Sequence, residues 1–418
     1  MKKVLYITYD GLTDPLGQSQ ILPYLAGLSR YEFEVSVLSF EKRLRYQKEN
    51  STIKRITDAA GIRWISLWFT SKPPVLSKIY DRWRLKRSAV KLYRQQKFDM
   101  IHCRSYVAAE IGLYLKKRFG TKFLFDMRGF WADEKKDSGA WPQTNPFFRQ
   151  VYKYYKQKEG QYLQSADQII TLTEAAKNEM QKWPNYNSKL PLRIIPCCAD
   201  MDHFSLTDEK QKSAARKKMG LSDGLVISYL GSVGSWYMLD EMLLFFKSLK
   251  TNFPSAKFLF ITQTPASVIE AKIRELNIDK DDVVITEVAR SQVPSTVKAS
   301  DINISFIKPV YSKISSSPTK LGEVLSMGIP VICNSGVGDV RCIVTNANAG
   351  FVLDGFSNAE YEKAVSSIPG LLKKSPSDIR NAVKNIFSLE KGIDSYLLCY
   401  REALSQPDSS LSNSFTKP

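Results

Sequence analysis

Residues 316–334 read Ser-Ser-Pro-Thr-Lys-Leu-Gly-Glu-Val-Leu-Ser-Met-Gly-Ile-Pro-Val-Ile-Cys-Asn, and their pattern divides into a loop, a two-turn helix and a buried strand. Ser317 stands where an N-cap is expected, and Pro318 at the first helical position, where its missing N–H costs nothing. Lys320 and Glu323 lie three residues apart, so the helix brings them to one face near its N-terminus. Gly328 fits a left-handed stop, and Ile329 to Cys333 is a short apolar run with a β-branched centre. The first turn of a helix gathers unpaired N–H groups and a partial positive charge, which makes a seat for a diphosphate. A lysine for phosphate and a carboxylate able to accept from two hydroxyls complete the outline of a nucleotide-sugar site.

On both sides of this stretch, strand-like apolar runs alternate with helical patterns, the signature of wound α/β sheets. Strands are predicted at Val4–Thr8, Glu34–Ser39, Arg63–Leu67, Met100–Cys103, Lys122–Asp126 and Gln168–Leu172. A second set follows at Leu225–Leu230, Lys257–Thr262, Val283–Glu287, Ile302–Ile307, Pro330–Cys333 and Phe351–Leu353. Leu239, Met242, Leu243, Phe246 and Leu249 repeat at helical spacing between two of them. At 418 residues the chain is too long for one ordinary core, and two successive wound domains follow from the pattern alone. The hinge is expected near Pro196–Ser205.

Composition narrows the function. A hydrophobic content of 43% is that of a globular protein, and no apolar run approaches the span of about 20 residues that crosses a bilayer. The opening Met1–Ile7 has a signal-like start, but Thr8-Tyr9-Asp10 ends its apolar run early and it reads as a first strand. Six scattered cysteines and two histidines offer no zinc spacing, so a reducing cytoplasm, no metal and no cofactor are expected. The net charge of +18 points to an acidic partner: nucleic acid, an anionic membrane surface or a phosphorylated substrate. Solubility alone is the plainer explanation. No RNA-binding sheet motif, KH loop or zinc finger is present, so no specific nucleic-acid partner is expected.

The segment Pro318-x-Lys320-x-x-Glu323, its small-residue turn and Pro330-Val331-Ile332 resemble the donor-binding segment of family 4 retaining glycosyltransferases. Three further stretches resemble that family in the expected order. They are the opening strand, glycine-bearing loop and helix of Met1–Glu41, the strand in Ala166–Glu174, and the connector Ile195–Phe204. The resemblance implies a GT-B fold, with two Rossmann-like domains facing a central cleft and a C-terminal helix crossing back to the first domain. The corresponding division is an acceptor-binding domain over 1–198, a nucleotide-sugar domain over 199–386, a returning helix over 387–405, and a disordered tail over 406–418. It implies a metal-independent, retaining hexosyltransferase moving sugar from a nucleotide diphosphate donor to a glycan. That acceptor is expected to be lipid-linked, in surface polysaccharide or lipopolysaccharide assembly.

By the same resemblance Glu323 accepts from the ribose hydroxyls, while Lys320, Ser316 and Ser317 hold the diphosphate. Gly231 and Gly234 form the loop after the first strand of the second domain, and Gly17 belongs to the loop after the first strand of the chain. The chain departs from the family in three places. Ser315 occupies the position of a second glutamate, Ser232 that of an arginine, and Tyr237 or Met238 that of a lysine; Lys308 and Lys313 are the nearest substitutes. His102, Asp126 and Arg128 lie at the ends of two adjacent predicted strands, where wound sheets bind ligands. Arg128 takes the place of a family histidine; it cannot act as a base but can stabilise phosphate charge. His102 fits equally a packed, hydrogen-bonded core histidine.

From Lys78 to Lys97 basic residues crowd a helical stretch that includes Trp83, Arg84, Arg87 and Lys91, with Leu76, Ile79 and Tyr80 interleaved. The basic face suits an anionic membrane at the inner face of the cell membrane, whereas the apolar stripe is expected to pack on its own sheet. A sugar-nucleotide epimerase and a non-catalytic nucleotide-sugar or nucleic-acid binding protein are the competing readings.

Overall fold

The computed structural model describes residues 1–405 apart from 187, 190, 222 and 223. The tail expected to be disordered, 406–418, lies outside the described residues. The chain divides into two compact units: Met1–Ile195 with the chain from Glu390 onward, and Pro196–Leu389.

The first unit is built on β1 (Lys2–Ile7), β2 (Phe33–Glu41), β3 (Arg63–Trp68), β4 (Met100–Arg104), β5 (Lys122–Asp126), β6 (Gln168–Thr171) and β7 (Leu192–Ile194). They form one sheet in the order β3-β2-β1-β4-β5-β6-β7, every pair parallel. The second unit has β8 (Val226–Leu230), β9 (Lys257–Ile261), β10 (Val283–Thr286), β11 (Ile302–Ser305), β12 (Val331–Asn334) and β13 (Gly350–Leu353). Its order is β10-β9-β8-β11-β12-β13, again all parallel. Parallel strands need helical crossovers, and the helices cover both faces of each sheet. The central strands are therefore buried throughout and read as unbroken apolar runs, as in Val4-Leu5-Tyr6-Ile7.

Strand β7 was not predicted. It has only three residues, follows Pro191, and is half-exposed, so no apolar run announces it. The helix Leu389–Ser405 packs on the first unit, as the family resemblance implied. Tyr400 meets Phe33 edge-on at 5.1 Å and Tyr396 meets Tyr24 at 5.3 Å. Gly27 permits the approach, because a Cβ there would lie 2.3 Å from Ile393. Cys103 and Cys333 are buried core thiols, and all six cysteines are free.

Each sheet reverses its winding once, between β1 and β4 and between β8 and β11. At such a reversal the neighbouring crossovers leave to opposite faces, opening a crevice beyond the carboxyl ends of the strands. The candidate residues of each unit collect at its reversal.

Candidate functional site

In the second unit β8 runs into Gly231-Ser232-Val233-Gly234. Gly231 and Gly234 have φ of +121° and +88°, conformations that side chains resist, and the loop closes through paired backbone bonds between Gly234 and Tyr237. A Cβ on Gly231 would stand 3.0 Å from Lys320 Nζ, so the glycine leaves room for that ammonium. Lys320 is buried, donates to Tyr229 Oη at 2.9 Å, and lies 3.5 Å from the ring centre of Tyr237. Burial pushes it well below the ordinary lysine range, with the Glu323 carboxylate pulling the other way. Lys313 brings a second ammonium to the loop, 3.7 Å from the Trp236 ring centre, while Lys308 remains exposed.

The helix carrying Lys320 spans Thr319–Ser326, with Pro318 rather than Ser317 at its N-cap. Ser317 is held outside the helix because its hydroxyl accepts from the Cys197 N–H at 3.1 Å, tying this loop to the connector. Ser316 is half-buried beside it, and Ser315 turns inward to donate to the Ser312 carbonyl at 2.8 Å. Glu323 is buried, and one carboxylate oxygen accepts from Arg290, whose guanidinium lies 5.0 Å from the Phe204 ring centre. Arg290 was not found from the sequence. It stands alone in the loop after β10, and only its place beyond the carboxyl end of a strand could have marked it.

In the first unit Gly17 lies inside the helix Pro15–Gln20 rather than ahead of it, against the Gly11 carbonyl, where a Cβ would come within 2.1 Å. The loop before it is pinned by the fully buried Glu41, which accepts from the Leu12 N–H at 2.8 Å and the Thr13 hydroxyl at 2.5 Å. On β4, His102 Nδ1 is 2.8 Å from Tyr400 Oη, and its Nε2 is 3.4 Å from Oδ2 of Asp126 at the end of β5. Asp126 also accepts from Tyr396 Oη at 2.8 Å. Burial opposes ionisation of Asp126, but Arg128, His102 and Arg104 outweigh it and hold the carboxyl below its usual range. Burial also lowers His102, keeping it neutral. His102 and Asp126, the residues offered with Arg128 for catalysis, are both buried. Both join a network closed by the C-terminal helix, which agrees with the packed, hydrogen-bonded alternative for His102. Arg128, in a left-handed conformation at φ +54°, is positioned by that network, with Nη1 3.4 Å from Tyr396 Oη and Nη2 3.5 Å from Gln20 Oε1.

A model of the family described as Glycosyltransferase Family 4 matches residues 22–203, and one described as Glycosyl transferases group 1 matches residues 211–385. Together the matches take in most of the chain. The chain belongs to the family 4 glycosyltransferases. No curated protein sequence matches this glycosyltransferase. Solved structures give it the GT-B fold. Sucrose-phosphate synthase from Thermosynechococcus elongatus is 14% identical with a TM-score of 0.72, covering 96% of this chain and 99% of its own. HepE from Anabaena, solved with UDP-glucose, is 14% identical with a TM-score of 0.70, covering 96% and 100%. WaaG, a glycosyltransferase involved in lipopolysaccharide biosynthesis, is 13% identical with a TM-score of 0.68, covering 94% and 98%.

The transferase departs from its sequence reading on the basic helix, Pro74–Gln95. Leu76, Ile79, Tyr80 and Trp83 were expected against the sheet, yet Leu76 is 64% exposed and Trp83 52%. The inward face belongs instead to Ser77, Asp81, Leu85, Ala89 and Leu92. Asp81 sets this rotation, since its carboxylate accepts from Tyr9 Oη at 2.9 Å and the Thr70 N–H at 3.1 Å. Arg84 is tied to its own unit, donating to the Trp68 carbonyl at 2.8 Å. Arg87 and Lys91 are exposed, and Arg87 lies over the Trp83 ring at 5.3 Å. Among the described residues no helix is long and apolar enough to cross a membrane.

Proposed function

We propose that this glycosyltransferase moves a sugar from a nucleoside diphosphate donor to a glycan acceptor held at an anionic membrane surface, with retention at the anomeric carbon. The observation that carries the reading is the buried Lys320 beneath the left-handed glycine loop, an amine kept from water where a Gly231 side chain would crowd it. Lys320 and Lys313 neutralise the leaving diphosphate, with the N–H groups of the helix Thr319–Ser326 beside them. Glu323, oriented by Arg290, accepts from the ribose hydroxyls, and Ser316 and Ser317 complete the phosphate seat. Arg128 is the first unit's candidate for stabilising phosphate charge, held in place by Asp126, His102 and Tyr396. With no side chain assigned as base, the departing diphosphate takes the acceptor proton. No resident metal or cofactor is invoked.

HepE, which shares the fold, was solved with UDP-glucose, so a uridine diphosphate sugar is the first donor to test. The fold shared with WaaG supports an acceptor in surface glycan or lipopolysaccharide assembly. The exposed Leu76, Ile79, Tyr80 and Trp83 beside Arg87 and Lys91 suit insertion at an anionic leaflet, placing the enzyme peripherally at the inner face of the cell membrane. The test is to incubate the protein with labelled nucleotide sugars and lipid-extracted acceptor, then to read the anomeric configuration of the product by NMR. Transfer with retention supports the proposal. Inverted product, or no transfer from any donor that binds, overturns it.

A further inference from the structure

We propose that the first unit carries an oxyanion subsite built on Arg104, at the reversal between β1 and β4, that receives a phosphate or carboxylate group of the acceptor. The inference rests on the transferase reading above for the word acceptor, but the anion site itself stands on geometry.

Arg104 is the last residue of β4, paired in register with Asp126 on β5. It is only 5% exposed, and neither its Nε nor its Nη1 has a hydrogen-bond partner. The carboxylate nearest its Nε is that of Asp10, on the loop after β1, at 3.6 Å and half-exposed at the rim. That separation is an ion pair across a gap and leaves the N–H unfilled. A buried guanidinium cannot shed its proton, so unlike a lysine it cannot relieve the cost by becoming neutral. The Tyr6 hydroxyl also contacts the guanidinium, but Nε and Nη1 stay unfilled, and the group is held charged and out of water. Such an arrangement is accounted for when a ligand supplies the missing oxygens.

Two independent features point the same way. The charge of Arg128 acts on Arg104, so two guanidiniums share one neighbourhood in which Asp126 is the buried carboxylate. Asp126 and Asp10 offset that repulsion and keep Arg104 protonated, while its Nε and Nη1 remain without an acceptor. The helix Ser105–Phe119 starts at the next residue, with no side-chain cap and no acidic residue in its first turn. Its open N–H groups and dipole therefore add positive potential beside the Arg104 guanidinium. The position is the topological switch point of this sheet, where wound folds bind their ligands.

The oxyanion could come from the acceptor or from the donor's own diphosphate, and the test separates them. Inorganic phosphate and glucuronate are titrated calorimetrically into the full-length Lys320→Ala protein, which lacks one of the second unit's two phosphate-binding ammoniums, and into Lys320→Ala with Arg104→Gln. Binding of either probe to the first that weakens at least tenfold in the second is the expected result, and the tighter probe names the group. Equal binding to both overturns the subsite. Arg104→Lys keeps the charge and should recover part of the affinity, so a folding defect in the glutamine variant does not hide the answer. Phosphate is then titrated into wild type saturated with UDP. Retained binding supports an acceptor anion, whereas displacement assigns the site to the donor and overturns the proposal. The UDP titration reports on the donor reading by itself, so failure of one reading is distinguishable from failure of the other.

Discussion

Replacing Lys320 by methionine should move stability and donor affinity in opposite directions. The two stems are alike in length, so the change removes the ammonium with little change of volume. Taking an ammonium out of water costs several kcal/mol after relaxation. The Tyr229 hydrogen bond returns about 1.5–3 kcal/mol of that, and the two tyrosine faces about another 1. Tyr229 keeps its own donation to the Ser232 carbonyl at 2.5 Å, so the substitution leaves no buried donor stranded. The balance makes Lys320→Met about 1 kcal/mol more stable than wild type near neutral pH, measured as a raised urea midpoint. The sign of its pH dependence follows from burial. Because the folded lysine is depressed, the unfolded chain binds an extra proton between that lowered value and about pH 10.4. Wild-type stability therefore rises with pH through that window, and the advantage of the methionine variant shrinks toward about pH 10. Affinity changes the other way. Losing a charge-assisted bond to phosphate costs about 1.5–3 kcal/mol, roughly 10- to 150-fold in UDP affinity by calorimetry. A variant that is less stable and binds UDP as tightly as wild type would refute the reasoning on both counts.

Three further outcomes are expected. Gly231→Ala forces a side chain into φ +121° and against Lys320, so it should lose about 1–3 kcal/mol in urea titration and weaken UDP binding; an unchanged midpoint would show that the loop relaxes freely. Tyr396→Phe removes a bond to a buried carboxylate worth about 1.5–3 kcal/mol. Asp126 has a depressed folded pKa, so its contribution is present above the ordinary carboxylate value and lost as pH falls through the depressed one; in the variant acid unfolding should begin at higher pH, as followed by circular dichroism. Reversing Arg87 and Lys91 to glutamate should weaken binding to phosphatidylserine vesicles by at least about 2 kcal/mol, roughly thirtyfold, in co-sedimentation, and retention on the vesicles would return that face to a solvated role.

Much of this architecture was legible because its signals are local. Strands buried on both faces read as apolar runs, and Leu239, Met242, Leu243, Phe246 and Leu249 are all buried in the helix Leu239–Asn252. What escaped depended on partners distant in sequence. Asp81 turns the basic helix because Tyr9 and the Thr70 N–H await its carboxylate, and no periodicity records that. Ser317 looked like a cap until the Cys197 N–H claimed its hydroxyl, 120 residues away in the chain. Arg290 is one arginine among many until Glu323 lies opposite it. His102 is satisfied by Tyr400 and Asp126, from the far end of the chain and the next strand, and no local pattern names either partner.

The donor site is the central claim, and Glu323 tests it most directly. Calorimetric titration of UDP, GDP and ADP into wild type and Glu323→Ala, without added metal, should find one nucleotide that binds the wild type. The variant should lose at least tenfold in affinity for it while remaining folded by circular dichroism, since two ribose hydroxyls lose a shared carboxylate at about 1.5–3 kcal/mol. Equal affinity in both proteins would contradict the assignment of the helix Thr319–Ser326 as the nucleotide seat.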